Sequence, residues 1–195
     1  MASLKNKLAK SILWKYIKFL TSIFNAIFIT SIVARNFTLN EFGILSFSRS
    51  LVAIFSGFIG LGSRNIIIRQ IVQEKDENIY KKTFQSGILL YLATALFSYI
   101  ILIVFGYINN FENITYLLIL SLLGINLFLK IIDVFEAWYI AKINDHIIQK
   151  IKTFGVIFTA SIKILFLYFK ASIAWIALAD VMGLILITLL FLRAV

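Results

Sequence analysis

From Gly87 to Tyr107 the chain reads GILLYLATALFSYIILIVFGY, 21 residues without a charged side chain. As a helix this segment would rise about 30 Å, the thickness of the hydrocarbon core of a bilayer. The pattern recurs: apolar stretches close to spanning length fall at about 15–34, 42–63, 86–106, 114–133, 153–169 and 172–192. In lipid a backbone amide finds no water, so each stretch must satisfy its own hydrogen bonds as a helix. The expected fold is all-α, a polytopic membrane bundle of about six transmembrane helices. Composition agrees, with 61% hydrophobic residues and 19 Phe against 9 acidic side chains. The mean hydropathy is +0.96.

Two absences narrow the chemistry. Without cysteine there is neither a disulfide framework nor a thiolate metal site. Without proline, only glycine can interrupt a spanning helix. Lys5, Lys7, Lys10, Lys15 and Lys18 before the first apolar run resemble the basic start of a signal peptide. The run that follows is long and lacks a convincing cleavage site, so it is expected to be a retained first span.

Orientation follows from the cations. With the N-terminus inside, 15 of the 19 Lys and Arg side chains fall on the inner side and only Arg35 and Lys170 on the outer; Arg49 and Lys163 lie within spans. That asymmetry predicts that both termini are cytoplasmic. It also assigns the net charge of +10 to topology and an anionic leaflet, with nucleic acid excluded as a partner. The outer connections are short (36–41, 107–113, 170–171), whereas the inner segments 64–82 and 134–152 are each long enough for a helix on the membrane surface. Trp14 and Tyr16 at the inner side, Tyr107, Tyr168 and Trp175 at the outer, and Trp138 and Tyr139 in the second inner segment suit aromatic belts.

The charges inside the spans are the candidate site. On a helix at 100° per residue, Ser46, Arg49, Ser50, Ala53, Ser56, Gly57, Gly60 and Arg64 share one arc, with Phe47, Leu51, Ile54, Phe55, Phe58 and Leu61 opposite. The bulky side is expected to face lipid, and Ser56xxxGly60 permits close helix approach. Lys152, Lys163 and Lys170 form a stripe on span 5, with Thr159 close to it, and span 6 carries Asp180. Lys163 and Asp180 lie eight or nine residues below the same outer turn, roughly 12 Å deep, at the level of Arg49. A polar chamber is expected there, with a Lys163–Asp180 pair and a less neutralised Arg49. Two cations and one carboxylate suit an anionic ligand such as a phosphate or diphosphate, and arginine suits it further by its bidentate geometry. Arg49, Lys163 and Asp180 are therefore the expected substrate-binding residues.

An enzyme reading finds little support. His146 is the one histidine, in an expected inner loop, and Glu74, Asp76 and Glu77 sit in surface-type sequence. Asp133 and Glu136 are spaced i, i+3 beside Lys130, which reads as an interfacial charge cluster before it reads as a proton or sodium site. No phosphate loop is present, so an ion gradient or the substrate's own gradient would supply any energy, and no cofactor is expected.

The stretch SIVARNFTLNEFGILSFSRSLVAIFSGFIGLGSRNIIIRQIVQEKD (31–76), after a basic start with Trp14, resembles the opening of the bacterial polysaccharide-unit flippases of the Wzx type. There an Ala-Arg turn, here Ala34 and Arg35, leads to an aromatic-Gly pair, here Phe42 and Gly43. A Gly-rich end (Gly57, Gly60, Gly62) and a basic loop (Arg64, Arg69) follow. VFEAWYIAKINDHIIQKIKTFGVIFTASIKILFLYFKASIAWIALADVMG (134–183) is similar to the same family's passage into spans 5 and 6. The resemblance implies the multidrug/oligosaccharidyl-lipid/polysaccharide exporter fold, two six-helix bundles around a cavity working by alternating access. Residues 1–195 would be the N-terminal bundle, without the C-terminal one. It further implies an undecaprenyl-diphosphate-linked oligosaccharide as substrate for surface polysaccharide such as O-antigen, contact with polysaccharide polymerase machinery, and H+ or Na+ as coupling ion. Other exporters of the superfamily, for lipid II or drugs, and a non-transporting assembly subunit are the alternatives.

Overall fold

The computed structural model describes residues 2–73, 77–109, 114–142 and 145–194, and among these every regular element is helical. In chain order they are α1 (Ala2–Phe24), a π turn (Asn25–Ile29), α2 (Thr30–Asn36), α3 (Leu39–Ser56), a 3-10 turn (Ile59–Gly62) and α4 (Ser63–Gln73). After these come α5 (Glu77–Asn109), α6 (Ile114–Leu129), α7 (Ile132–Ala141), α8 (Asp145–Tyr168) and α9 (Ile173–Ala194). Five helices are long and apolar enough to cross a membrane: Lys10–Asn36, Lys81–Ile108, Ile114–Ala141, Asp145–Tyr168 and Ile173–Arg193. The pair Leu39–Ser56 and Ile59–Gln73, bent by 46°, is long and apolar enough only when taken together, so the spans number five, or six with this broken pair. The protein is an all-α multi-pass membrane protein. Its outer side chains agree, since Phe19, Phe28, Leu89, Phe97 and Leu189 are exposed, as lipid-facing residues are.

Local chemistry sets the turns. α3 starts at a capping box in which the Thr38 hydroxyl accepts the Glu41 N–H at 3.3 Å and the Glu41 carboxylate accepts the Thr38 N–H at 2.9 Å. The second span departs from the expected 42–63 because its helix stops at Ser56. Gly60 (φ 71°), Leu61 (φ 45°) and Gly62 (φ 74°) take left-handed conformations, which glycine tolerates at little cost. The Gly60 N–H donates to Thr94 Oγ1 at 3.1 Å, and a Cβ on Gly60 would overlap the Tyr91 ring. Gly60 thus does allow close approach, but through a broken helix and not the continuous seam expected. Gly60→Ala is expected to cost about 2–4 kcal/mol, left-handed strain plus overpacking. Gly62→Ala, with nothing near its Cβ, should cost about 1–2 kcal/mol of strain alone. Equal unfolding midpoints for the two variants in detergent would remove Tyr91 from the explanation.

The core lies where α3, α5, α6 and α9 meet, filled by Leu45, Leu102, Ile119, Leu120, Leu123, Leu127 and Ile176. A second cluster joins α7, α8 and α9 through Phe135, Tyr139, Ile148, Ile187 and Phe191. Small residues let these helices approach, as lipid-embedded interfaces require. A Cβ on Gly124 would press on Tyr99, one on Gly155 on Ile187, and one on Gly183 would overlap the Thr159 hydroxyl. Gly183→Val is therefore expected to separate α8 from α9 and lower stability by about 2–3 kcal/mol, read from the unfolding midpoint. Gly43→Ala, which meets open space, is the control.

Both inner segments differ from their expected form. Residues 134–152 make no separate surface helix: α7 carries the fourth span on to Ala141, and the fifth begins at Asp145. In 64–82, α4 packs on α7 and α5 while 77–82 belong to α5, so apolar side chains such as Ile67 enter the core. Tyr139 is buried against Phe191 and does not join an aromatic belt. Trp138 packs on Phe84 and lies beneath the Lys142 ammonium, 3.9 Å from its ring centre. Tyr16, Tyr107, Tyr168 and Trp175 are exposed as expected. Of the opposite side of α3, Phe47, Ile54 and Phe58 are exposed, but Leu51 is buried, because α6 and α5 both pack against that helix. Glu74 and Asp76, and the end of the outer turn at 110–113, lie outside the described residues.

Candidate functional site: a charged cavity between the helices

A cavity of about 560 Å³ opens between α1, α3, α6, α7, α8 and α9. Its walls carry charge at two levels. At the first, Asp180 of α9 accepts from Arg49 of α3 through Oδ2, at 3.1 Å from Nε and 2.6 Å from Nη2. Its Oδ1 lies 2.5 Å from Lys163 Nζ of α8. The expected Lys163–Asp180 pair is present. Arg49 is not the less neutralised cation expected, since both cations share one carboxylate, leaving the trio at +1.

The three residues are not equivalent. Arg49 and Asp180 line the cavity, whereas Lys163 is buried behind Asp180, away from the wall. Its position explains its tolerance within a span: an ammonium there requires a partner, and Asp180 supplies one. Lys152, one turn-multiple below on the same stripe, points to the second level.

At that second level stands Glu136 of α7, only 1% exposed. Its Oε2 accepts from Arg64 Nη2 of α4 at 2.8 Å, and its Oε1 faces the ammonium of Lys152 of α8. Lys18 of α1 lines the same space, as do Lys130 and Asp133, which pair at 3.4 Å. Glu136 is thus a buried connector of three helices, in place of the interfacial charge cluster read from its spacing to Asp133. The sequence did carry a signal, a carboxylate inside the apolar run VFEAWY, which lipid-depth burial would make costly without partners. Beyond it, Asp145 ties α8 to α1 through Lys15 at 2.5 Å and the Ser11 hydroxyl at 3.0 Å. His146 lies in the first turn of α8, not in a loop.

Lys18, Arg49, Lys130 and Lys152 line the cavity against Asp133, Glu136 and Asp180, a surplus of one positive charge, and Arg64 and Lys163 stand behind the wall on the far side of Glu136 and Asp180. Neutral hydrogen-bonding groups share the walls. Asn25, where the π turn interrupts the first helix, and Asn126 of α6 both line the cavity, and their Oδ1 atoms have no partner among the described residues. π turns often mark functional positions because they redirect side chains and free carbonyl groups. The arrangement can hold an anion and offer acceptors to hydroxyl groups beside it. No group of three or more His, Cys, Asp and Glu side chains suited to a metal ion occurs among the described residues. Compared with known proteins, the chain matches no family model, no curated sequence and no solved structure.

Proposed function

We propose that the chain is one six-helix bundle of a flippase that moves undecaprenyl-diphosphate-linked oligosaccharide units from the cytoplasmic to the outer leaflet of a bacterial inner membrane, with its N-terminus cytoplasmic. The observation that carries this reading is the cavity with a surplus of positive charge at membrane depth, where a charge is costly to keep and is a functional candidate by default. A diphosphate would compete with Asp180 for the Arg49 guanidinium, exchanging one bidentate acceptor for another. Lys163, behind Asp180, would hold that carboxylate as Arg49 turns toward substrate. The Asn25 and Asn126 amides match the hydroxyl groups of a sugar next to the diphosphate. The basic level around Lys18 and Lys152 would receive the anion first, from the cytoplasmic side, and an H+ or Na+ gradient would drive the cycle together with a second bundle that completes the cavity. The resemblance of 31–76 and 134–183 to Wzx-type flippases favours this substrate over lipid II or a drug.

The test is complementation of cells lacking their own polysaccharide-unit flippase, with the full-length gene, wild type and Arg49→Ala, at matched membrane levels. Surface polysaccharide restored by the wild type and reduced at least tenfold by Arg49→Ala is the expected result. A well-expressed wild type that restores nothing would redirect the reading to another substrate, and equal activity of the two would make Arg49 structural.

A further inference from the structure

A second cavity, of about 570 Å³, lies on the outside of the bundle, and nothing in the transport reading uses it. α8 forms its floor, with Trp14 of α1 on one side and Leu190 and Arg193 of α9 on the other. Its polar end holds two cations, Lys150 and Arg193, and no carboxylate lines it. Both side chains are exposed, and neither has an ion pair among the described residues. This separates them from the cations of the central cavity, where Arg49, Lys130 and Lys152 each have a carboxylate.

The remaining wall is apolar and runs into the membrane. Phe154 and Ile157 are half exposed and follow Lys150 along α8, so that the backbone of Ile157 lies about 10 Å further along the helix than that of Lys150. The level is fixed by the spans themselves: Arg193 ends the span Ile173–Arg193 and Trp14 stands near the start of Lys10–Asn36, both at a membrane–water boundary. Tryptophan favours that boundary, and basic pockets between spanning helices there bind anionic headgroups. A groove with a bare dicationic mouth and an apolar floor of that depth has the shape and polarity of one anionic phospholipid, phosphate up and acyl chain down.

We infer that this groove is a binding site for an anionic phospholipid of the leaflet at the basic end of the bundle, the phosphate held by Lys150 and Arg193 and an acyl chain laid over Phe154 and Ile157 beside Trp14. A zwitterionic lipid carries its own ammonium next to the phosphate and gains little from the two cations, so the site selects on net charge.

The experiment titrates the purified chain in detergent with palmitoyl-oleoyl-phosphatidylglycerol or palmitoyl-oleoyl-phosphatidylcholine and counts retained lipid by native mass spectrometry. The wild type is expected to prefer phosphatidylglycerol at least tenfold, as two interfacial cations allow at about 1 kcal/mol each. Lys150→Gln/Arg193→Gln should bring the preference close to unity with an unchanged helical circular dichroism spectrum, since both side chains are exposed. Ile157→Ser should weaken both lipids alike. Arg49→Gln should leave the preference intact, and millimolar inorganic phosphate should not displace bound lipid. Equal retention of the two lipids overturns the inference, as does a preference that survives the double variant. Displacement by free phosphate, or loss of the preference in Arg49→Gln alone, would assign the binding to an anion site elsewhere and overturn it equally.

Discussion

A Glu136→Ala variant is expected to lose about 3 kcal/mol of stability, the low end for a broken buried pair because both cations keep part of their hydration, read as the fall in unfolding midpoint when wild type and variant are titrated from mild detergent into sodium dodecyl sulfate. The expectation rests on what the carboxylate leaves behind. Glu136 is 1% exposed and is the shared partner of Arg64 from α4 and Lys152 from α8. Removing it leaves Arg64 and Lys152, whose side chains are 38% and 28% exposed, without their carboxylate, and breaking a pair from its buried side costs more than the pair contributes net. α4 packs extensively on α7, so the tie that depends most on Glu136 is the one between α7 and α8. Adding Arg64→Met and Lys152→Met to Glu136→Ala removes the stranded charges and should recover more than half of the loss. Full tolerance of Glu136→Ala would mean that water already reaches both cations, and the buried connector described above would not exist.

The second large effect is expected at Asp180. Asp180→Ala should cost about 3 kcal/mol, near the insertion cost of one unpaired intramembrane charge, measured in the same titration. One carboxylate holds Lys163 through Oδ1 and Arg49 through Oδ2, thereby joining α3, α8 and α9. The two cations are not stranded equally. Lys163 is buried away from the cavity wall, while Arg49 borders the cavity and can turn its guanidinium into it. Lys163→Met should therefore cost only about 1 kcal/mol, because Asp180 keeps Arg49. Lys163→Met/Asp180→Leu should be more stable than Asp180→Ala, with Arg49 hydrated from the cavity. A double variant no better than Asp180→Ala alone would show that Arg49, and not Lys163, is the residue that depends on the carboxylate.

The ends of the spans illustrate how far periodicity reaches. Residues 114–129, without a charge, and 173–194, apolar but for Asp180 and Arg193, were legible because runs of that composition have one stable form in lipid, the helix. The level of Arg49, Lys163 and Asp180 was legible too, since helix rise converts residue counts from a shared turn into depth. The break at Gly60–Gly62 was not, although the glycines were in view: glycine permits a left-handed turn without demanding one, and contact with Tyr91 and Thr94 of α5 makes the choice. For the same reason the arc that placed Gly60 and Arg64 beside Arg49 fails beyond Ser56, and Leu51, assigned to lipid by that arc, is covered by neighbouring helices.

By itself, then, the sequence determined the environment, the helical class and the presence of intramembrane charge, because each follows from transfer free energies that act on a segment whatever its neighbours are. Only the tertiary structure decided which charges meet. Arg49 reaches Asp180 across 131 positions of sequence and Arg64 reaches Glu136 across 72. No local rule assigns such partners: in a bilayer the lipid accepts any apolar helix face equally, and the packing of small residues, such as Gly183 against Thr159, sets which faces meet.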